Sequence, residues 1–421
     1  MVTKRDPRFP RVELLHVSTP TGLSGRLTKA SQHSFTYDTS TLAAGNHGFE
    51  ISLTMPLRPE SYNRTPMLPL FQTFLPEGYL KERIVERFSK VLRVDDMALL
   101  ALSGENAIGR LRLSREANPE PGQGGIESLS EILGDQGSAN LFEYLSDKYL
   151  IRSGISGVQP KVMLAAEDLQ EASLPPQRMS IGERATLRAR QLIVKVSGGE
   201  FPGLAENEYQ CLTLARALDL PVAAFWLSND RKRFVVERFD FNRSSGRYLG
   251  FEDMVSLQGL VNNDKYEGSY ENVAKAIARN AAPALTKQSL EAYFGSLVLS
   301  IVLQNGDAHL KNFGLLYTDP GSEDCALSPV YDIVCTTIYI PKDRLALSLC
   351  GSRDWPDRTT LCDFGRLHCL VDHPERVVDR TIDAVGSHVP DKDDAGIWAQ
   401  IRRNAMSRAH VLARAGRSAQ P

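Results

Sequence analysis

This chain of 421 residues has no CxxC pair, no long apolar run and no excess of positive charge. Each absence removes a class of protein. The six cysteines (Cys211, Cys325, Cys335, Cys350, Cys362 and Cys369) cluster late and at irregular spacing. That pattern argues against a zinc site or a disulfide scaffold and for reduced thiols in a cytosolic protein. The most hydrophobic stretch, Tyr293 to Leu303, is about half of the ~20 residues that a membrane span needs. The opening MVTKRDPRFPRVELL carries early basic side chains with no apolar run behind them. No secretory signal is therefore expected, no membrane partner, and a cytoplasmic location. Formal net charge is -2, so whole-chain charge names no polyanionic partner, although local patches can still exist. Internal repeats and long low-complexity tracts are also missing.

What is present is the composition of an ordinary soluble protein, 42% hydrophobic and 24% charged. The length exceeds what one hydrophobic core usually serves, so more than one domain is expected. Short β-like runs (Arg11 to His16, Phe35 to Tyr37, Ile51 to Leu57) precede a helical pattern from Gly78 to Phe88, and Ala107 to Ser114 reads as a strand. REANPEPGQGG, Arg115 to Gly125, is rich in Pro and Gly and marks the best linker. A helix (Ser138 to Tyr149), two strands (Lys161 to Ala165, Gln191 to Val196), a helix (Leu204 to Leu218) and two β-runs (Val222 to Leu227, Phe234 to Phe239) follow. From Phe251 the pattern is mostly helical, with β-like pieces near Phe313 to Tyr317 and Leu345 to Leu349. Glu167 to Glu183 reads as a surface insertion. The expected fold is α+β, a small sheet lobe with a larger helical lobe. Its three regions are 1–120, which is β-rich, 121–245, which carries the glycine turn and strand lysine, and 246–421, which is helical.

The chemistry concentrates in QNGDAHLKNFGLLY, Gln304 to Tyr317, directly after a long apolar helix. Asp307 and Asn312 stand at the D-x-x-x-x-N spacing of a protein-kinase catalytic loop. A carboxylate at 307 can accept the proton of an attacking hydroxyl, and the Asn312 side-chain oxygen can ligate magnesium. Lys311 can neutralise charge on a transferring phosphoryl group, while His309 reads as a brace for the loop within the catalytic set. Asp332, in SPVYDIV, lies about twenty residues on, where a kinase places its magnesium aspartate. Magnesium takes one or two carboxylates and completes its shell with phosphate oxygens and water, so Asn312 and Asp332 suffice. Tyr331 beside Asp332 joins the nucleotide-binding candidates.

Upstream, SGISGVQPK, Ser153 to Lys161, is a glycine-bearing turn before a strand, and such backbone N–H groups can cradle phosphate. Ser156, Gly157, Val158, Gln159 and Lys161 are its nucleotide-facing candidates. Lys195 sits inside the apolar strand QLIVKVS, costly for an ammonium unless it meets a partner or a phosphate. The alternative is an edge-strand lysine pointing to solvent. Glu208 on the next helix either pairs with it, as the kinase lysine–glutamate pair does, or is a solvated first-turn acid. VVERFD places Glu237, Arg238 and Phe239 where a hinge reads adenine through its backbone. The order of these elements carries the reading more than any one of them.

In these stretches the sequence resembles the HipA family of serine/threonine kinases, toxins of bacterial toxin–antitoxin pairs. The likeness rests on GVQPK, IVKVS, the NEY of ENEYQCLTLA, VVERFD, FEDM, KYEGSY, NGDAHLKNF and PVYDIV, in family order from about Gly154 to Val334, with FLPEG at Phe74 to Gly78. It implies a two-lobed kinase-like fold with a β-rich N-terminal subdomain over residues 1–120. It also implies ATP and Mg²⁺ as cofactors, and a HipB-like helix-turn-helix antitoxin that alone would contact DNA. The family's known targets imply an aminoacyl-tRNA synthetase as substrate. By the same likeness Asp307 is the base, Asn312 and Asp332 hold metal, Lys195 binds phosphate, and Glu237 and Phe239 lie at the adenine. Autophosphorylation in the glycine loop falls on Ser156, with Ser153 the weaker choice. Asn305-Gly306 replaces the usual His-Arg and Tyr331-Asp332-Ile333 replaces DFG, so control by activation-loop phosphorylation is not expected. The rival readings are a small-molecule phosphotransferase and an inactive, antitoxin-bound co-repressor. The basic run Ile401 to Ala419, the RKR at Arg231 to Arg233, and Trp226, Trp355 and Trp398 read as solvated or packing residues.

Overall fold

The apolar–polar alternation of LLHVST and HSFTY is what a half-buried antiparallel sheet requires. The computed structural model, which describes residues 11–89, 94–117, 125–134, 139–149, 159–167, 189–390 and 396–414, contains that sheet. The chain forms two compact units, each discontinuous in sequence. One comprises Met1–Val196, Asp240–Glu252 and Thr318–Gly321; the other comprises Ser197–Phe239, Asp253–Tyr317 and Ser322–Pro421.

In the first unit β1 (Leu14–Thr19), β2 (Gly22–Lys29), β3 (His33–Tyr37), β4 (Tyr62–Arg64) and β5 (Arg112–Ser114) form an antiparallel sheet in the order β4-β3-β2-β1-β5. Its inward residues Leu15, Val17, Leu27, Phe35 and Tyr37 join Phe71, Met97, Leu100 and Leu113 in one core. Phe35 meets Tyr37 edge-on at 4.9 Å between ring centres. The Tyr37 hydroxyl donates to the Met55 carbonyl at 2.5 Å and accepts from the Ile51 N–H at 3.1 Å. Helix α1 (Gly78–Phe88) has the bounds the periodicity predicts, and α2 (Asp96–Ser103) starts at Asp95, whose Oδ1 accepts the Ala98 N–H at 3.1 Å.

Two expected strands of this unit are shorter or absent. Ala107 to Ser114 is a strand only from Arg112, because Gly109 takes φ +90° and turns the chain away from extended geometry. Ile51 to Leu57 is no strand, since the Ser52 hydroxyl and the Leu53 N–H both bond the buried Glu252 carboxylate, at 2.7 and 2.8 Å.

The same unit holds β6 (Ile126–Ser128), parallel to β7 (Lys161–Glu167), which runs antiparallel to β8 (Arg190–Val196). Helix α3 (Ala139–Tyr149) is tied to this sheet by Lys148 and Tyr149, both 2.6 Å from Glu127 Oε1. The linker at 115–125 and the insertion at 167–183 lie largely outside the described residues.

The second unit is mainly helical. Its chief helices are α4 (Leu204–Ala217), α5 (Tyr270–Asn280), α6 (Thr286–Val302), α7 (Arg358–Cys369), α8 (Pro374–Ser387) and α9 (Ile397–Arg414). Buried on almost every side from Leu290 to Val302, α6 is the central helix. That accounts for its largely apolar stretch from Tyr293 without a membrane; no helix among the described residues is long and apolar enough to cross one. The hairpins are β9 (Phe225–Leu227) with β10 (Arg233–Glu237), and β11 (Gly314–Tyr317) with β12 (Ala326–Leu327).

Val222 makes only an isolated bridge to Val330, so the run expected from Val222 begins at Phe225. Leu345 to Leu349 is not a strand; its apolar residues are buried loop, bridged singly at Ser348 and Leu349. Arg408, in the basic C-terminal run, is buried rather than solvated and donates to the Pro356 carbonyl. All six cysteines are free thiols. The architecture is α+β, with a β-rich N-terminal region and a helical C-terminal one.

Candidate active site

Helix α6 delivers the catalytic-loop sequence from the centre of its unit. It ends at Val302 with Leu303 as its cap, and Gln304 then adopts a left-handed φ of 54°, which turns the chain sharply. The Asn305 N–H returns to the Ser300 carbonyl at 2.8 Å, and Asn305 Oδ1 accepts the Asp307 N–H at 3.1 Å. Gly306 is required by close approach: a Cβ there would run into the Asp343 carboxylate and the Arg344 carbonyl. Residues 310–312 make one 3₁₀ turn, and Asn312 folds back so that its Oδ1 accepts the His309 N–H at 3.0 Å.

Asp307 is exposed, and Oδ1 accepts the Tyr266 hydroxyl at 2.8 Å. The protein packed around this solvent-reaching carboxylate raises its pKa above the ordinary aspartate value. The Tyr266 hydrogen bond and the Lys265 charge oppose that rise, while Asp332 and Asp343 add to it. Asp332 thus lies within electrostatic reach of Asp307, and it also acts on His309. Asn312, Tyr331 and Asp332 line one pocket with Ser300, Asn305 and Ser328. Asp332 itself has φ 55°, a left-handed conformation that Asp tolerates better than most residues. The segment that follows is clamped by the buried Asn207 of α4, whose side chain accepts the Cys335 N–H at 2.9 Å and donates to its carbonyl at 3.1 Å.

His309 is buried, 8% exposed. Burial, reinforced by Lys265, pushes its pKa down to about 3, so the ring is neutral at pH 7. Its ring stands 5.1 Å from that of Tyr266 at 71°, and among the described residues its Nδ1 has no hydrogen-bond partner. Lys311 reaches Asn262 Oδ1 at 3.3 Å, and the Tyr331 hydroxyl donates to the Lys311 carbonyl at 2.8 Å. Phe239 lies against Tyr331, ring centres 5.4 Å apart and tilted by 37°. Glu237 donates its N–H to the Ala224 carbonyl at 2.8 Å, and Arg238 is buried. The residues at 307, 309, 311, 312, 331 and 332 therefore share one neighbourhood, with Phe239 against Tyr331.

The donors there suit a hard cation shared with phosphate. One carboxylate, Asp332, stands with an amide oxygen, Asn312, which retains a second lone pair beside its bond from His309. Among the described residues the His309 Nδ1 is a buried polar atom still to be satisfied.

In the first unit, the β7–β8 register sets Lys161 directly opposite Lys195, at 6% and 4% exposure. Lys195 is thus buried rather than turned to solvent from an edge. Two neighbouring buried ammonium groups demand anionic or strongly polar company. Gln159 donates to the Val196 carbonyl at 3.3 Å. Ser153, Ser156, Gly157 and Val158 lie outside the described residues. Glu208 is buried in α4 of the second unit, not solvated on the first turn.

A family model described as the HipA-like C-terminal domain matches residues 153–392, and one described as the HipA N-terminal domain matches residues 15–114. The chain belongs to the HipA family. Among similar proteins, Y4mE of Sinorhizobium fredii, named as a candidate kinase, is 30% identical over 311 residues, 69% of this chain and 69% of that protein. Y4dM of the same organism, named in the same way, is 25% identical over 300 residues, 66% of this chain and 65% of that protein. A solved complex of HipA, HipB and operator DNA from Shewanella oneidensis MR-1 shares the fold. Its matching chain gives a TM-score of 0.68 at 18% identity, covering 97% of this chain and 100% of that one. The HipA likeness and the α+β fold expected from the sequence are both borne out.

Sequence reasoning missed several residues of this HipA-family site: Tyr266 on Asp307, Asn262 on Lys311, Asn207 on Cys335, and Thr336 and Asp343 beside Gly306. Tyr266 lies in KYEGSY and Asn207 in NEY, both noted as family-like stretches but given no role. Thr336 and Asp343 had no motif to mark them.

Proposed function

We propose that this chain is a serine/threonine protein kinase that uses ATP and Mg²⁺ and acts as the toxin of a HipA–HipB-type pair. The observation that carries the reading is the exposed Asp307 carboxylate, held by Tyr266, in the electrostatic field of Asp332 and on the same loop as Asn312. Magnesium–ATP, when bound, supplies the transferable phosphoryl group and the cation that offsets its charge. Asp307 accepts the proton of the incoming hydroxyl, its raised pKa making it a better base than an ordinary aspartate. Asn312 and Asp332 would hold the cation, Lys311 would neutralise phosphoryl charge, and the neutral His309 braces the loop rather than donating as an imidazolium. Phe239 and Tyr331 offer an aromatic surface suited to adenine. The phosphate-binding role of Lys195, the backbone role of Glu237 and Arg238, and self-inhibitory phosphorylation at Ser156 belong to the same proposal.

The partner in this reading is a HipB-like helix-turn-helix protein, through which alone DNA is reached. The HipA of the Shewanella complex supports it by the company it keeps in that structure. The substrate is a protein hydroxyl, an aminoacyl-tRNA synthetase by family resemblance. Incubating the protein with γ-labelled ATP and a bacterial lysate tests the substrate class. Labelled protein bands that vanish with Asp307→Ala are expected. Label confined to small metabolites would replace protein by small-molecule phosphotransfer, and no Asp307-dependent label in either fraction would favour an inactive, antitoxin-bound co-repressor.

A further inference from the structure

We infer that Thr336 and Asp343 form a built-in latch that positions the catalytic loop, so that Asp307 is held in place without any added phosphate. The inference rests on the kinase reading and assigns two positioning residues to that site. Thr336 Oγ1 accepts the Gly306 N–H at 2.8 Å, one residue before Asp307. The same hydroxyl lies 2.5 Å from Asp343 Oδ2 and 3.1 Å from the Gln304 carbonyl oxygen. A hydroxyl has one proton to give, and the shorter, charge-assisted contact with the carboxylate claims it. With its proton committed to Asp343, the Thr336 oxygen presents its lone pairs to Gly306.

The neighbouring threonine holds the same loop by its other end. Thr337 Oγ1 donates to Gln304 Oε1 at 3.3 Å and accepts from Asn404 Nδ2, on α9, at 3.0 Å. Gln304 is the left-handed residue that turns α6 into the loop. Such a conformation in a non-glycine residue persists only where its surroundings hold it. Asp343 is itself fixed: its Oδ1 accepts the Arg344 N–H at 2.9 Å, and its carbonyl accepts Trp355 Nε1 at 3.1 Å. Asn207 anchors the adjacent Cys335 backbone. The absence of a side chain at Gly306 completes the fit, because the Asp343 carboxylate and the Arg344 carbonyl occupy the place a Cβ would take. Where kinases are switched by phosphorylation, a new phosphate–arginine contact orders the segment after the metal aspartate. Here a hydroxyl and a carboxylate in the sequence do that work, and Asn305-Gly306 stands where the coupling arginine would be.

The test uses full-length wild type, Thr336→Val, Thr336→Ser, Asp343→Asn and Asp307→Ala. Two readouts are taken: steady-state phosphoryl transfer, and amide hydrogen exchange at Gly306 and Asp307. Thr336→Val is expected to lower kcat by about 10- to 100-fold, the scale of an ångström-sized misplacement, with KM for ATP little changed. Both amides should exchange about tenfold faster, reporting local opening. Thr336→Ser keeps the hydroxyl and should restore both readouts. If Thr336→Val fails to fold, Asp343→Asn decides: it leaves the threonine in place but weakens the latch, and should move both readouts the same way by less. Wild-type kcat and wild-type exchange in the variants that fold would overturn the latch. Activity retained by Asp307→Ala would instead remove the kinase reading, and hydrogen exchange would still report on the latch.

Discussion

The Tyr266 hydroxyl donates to Asp307 Oδ1 across 2.8 Å from 41 positions earlier in the chain, and this bond favours the ionised form of the residue read as the base against the burial that disfavours it. Crowding raises the Asp307 pKa and the Tyr266 bond pulls it down. A base works when ionised, so activity is lost as pH falls through its pKa. Removing a bond that favours the carboxylate raises that pKa further. Tyr266→Phe is therefore expected to move the acidic limb of kcat/KM to higher pH. A limb that stays in place, or moves to lower pH, would remove Tyr266 from the control of Asp307.

His309 gives an expectation of the opposite sign. Its pKa is pushed down from the ordinary imidazole value of 6.5 to about 3 by burial. The unfolded chain binds a proton below pH 6.5 and the folded chain does not, so stability from this group is present above that pH and falls as pH drops. The slope is about 1.4 kcal/mol per pH unit until the folded pKa is reached. Ring resonances of His309 should stay at neutral values from pH 8 to pH 5, and His309→Gln should flatten the acid side of the stability curve. Titration of the ring near pH 6.5 would contradict both.

Phe35 tests the core of the first unit. It is fully buried between Tyr37 and Phe71, with ring centres at 4.9 and 5.8 Å. Phe35→Ala should cost about 3–5 kcal/mol, the sum of lost burial and a residual cavity. Equilibrium denaturation that shows a loss under about 1 kcal/mol would mean that the site collapses around the smaller residue.

How much of this was legible in the sequence depends on the range of the interaction. Helix α1 follows from a local helical pattern and has the bounds that pattern gives, and α6 follows from the apolar stretch that directly precedes Gln304. Asp307 and Asn312 are five residues apart on one loop, so spacing alone brings them together. Asp332 was found because its distance from that loop is set by a short hairpin, β11 with β12. Thr336 and Asp343 left no such trace, since their bonds depend on how a loop without regular structure returns to Gly306. Ile51 to Leu57 misled for a related reason. It alternates like a strand, yet its polar groups bond a carboxylate about 200 residues away, at Glu252. The burial of Lys195 opposite Lys161 was likewise invisible until the register of β7 and β8 was known.

In the proposed function Asp307 would handle a proton and Asp332 would hold a cation. Calorimetric titration of Mg–ATP into wild type, Asp307→Asn and Asp332→Asn, run beside a phosphoryl-transfer assay, separates the two roles most directly. Asp307→Asn should keep nucleotide affinity and lose transfer by about 100-fold or more, the scale of a missing general base. Asp332→Asn should lose magnesium-dependent affinity and transfer together. Wild-type Mg–ATP binding and wild-type transfer in Asp332→Asn would contradict the account.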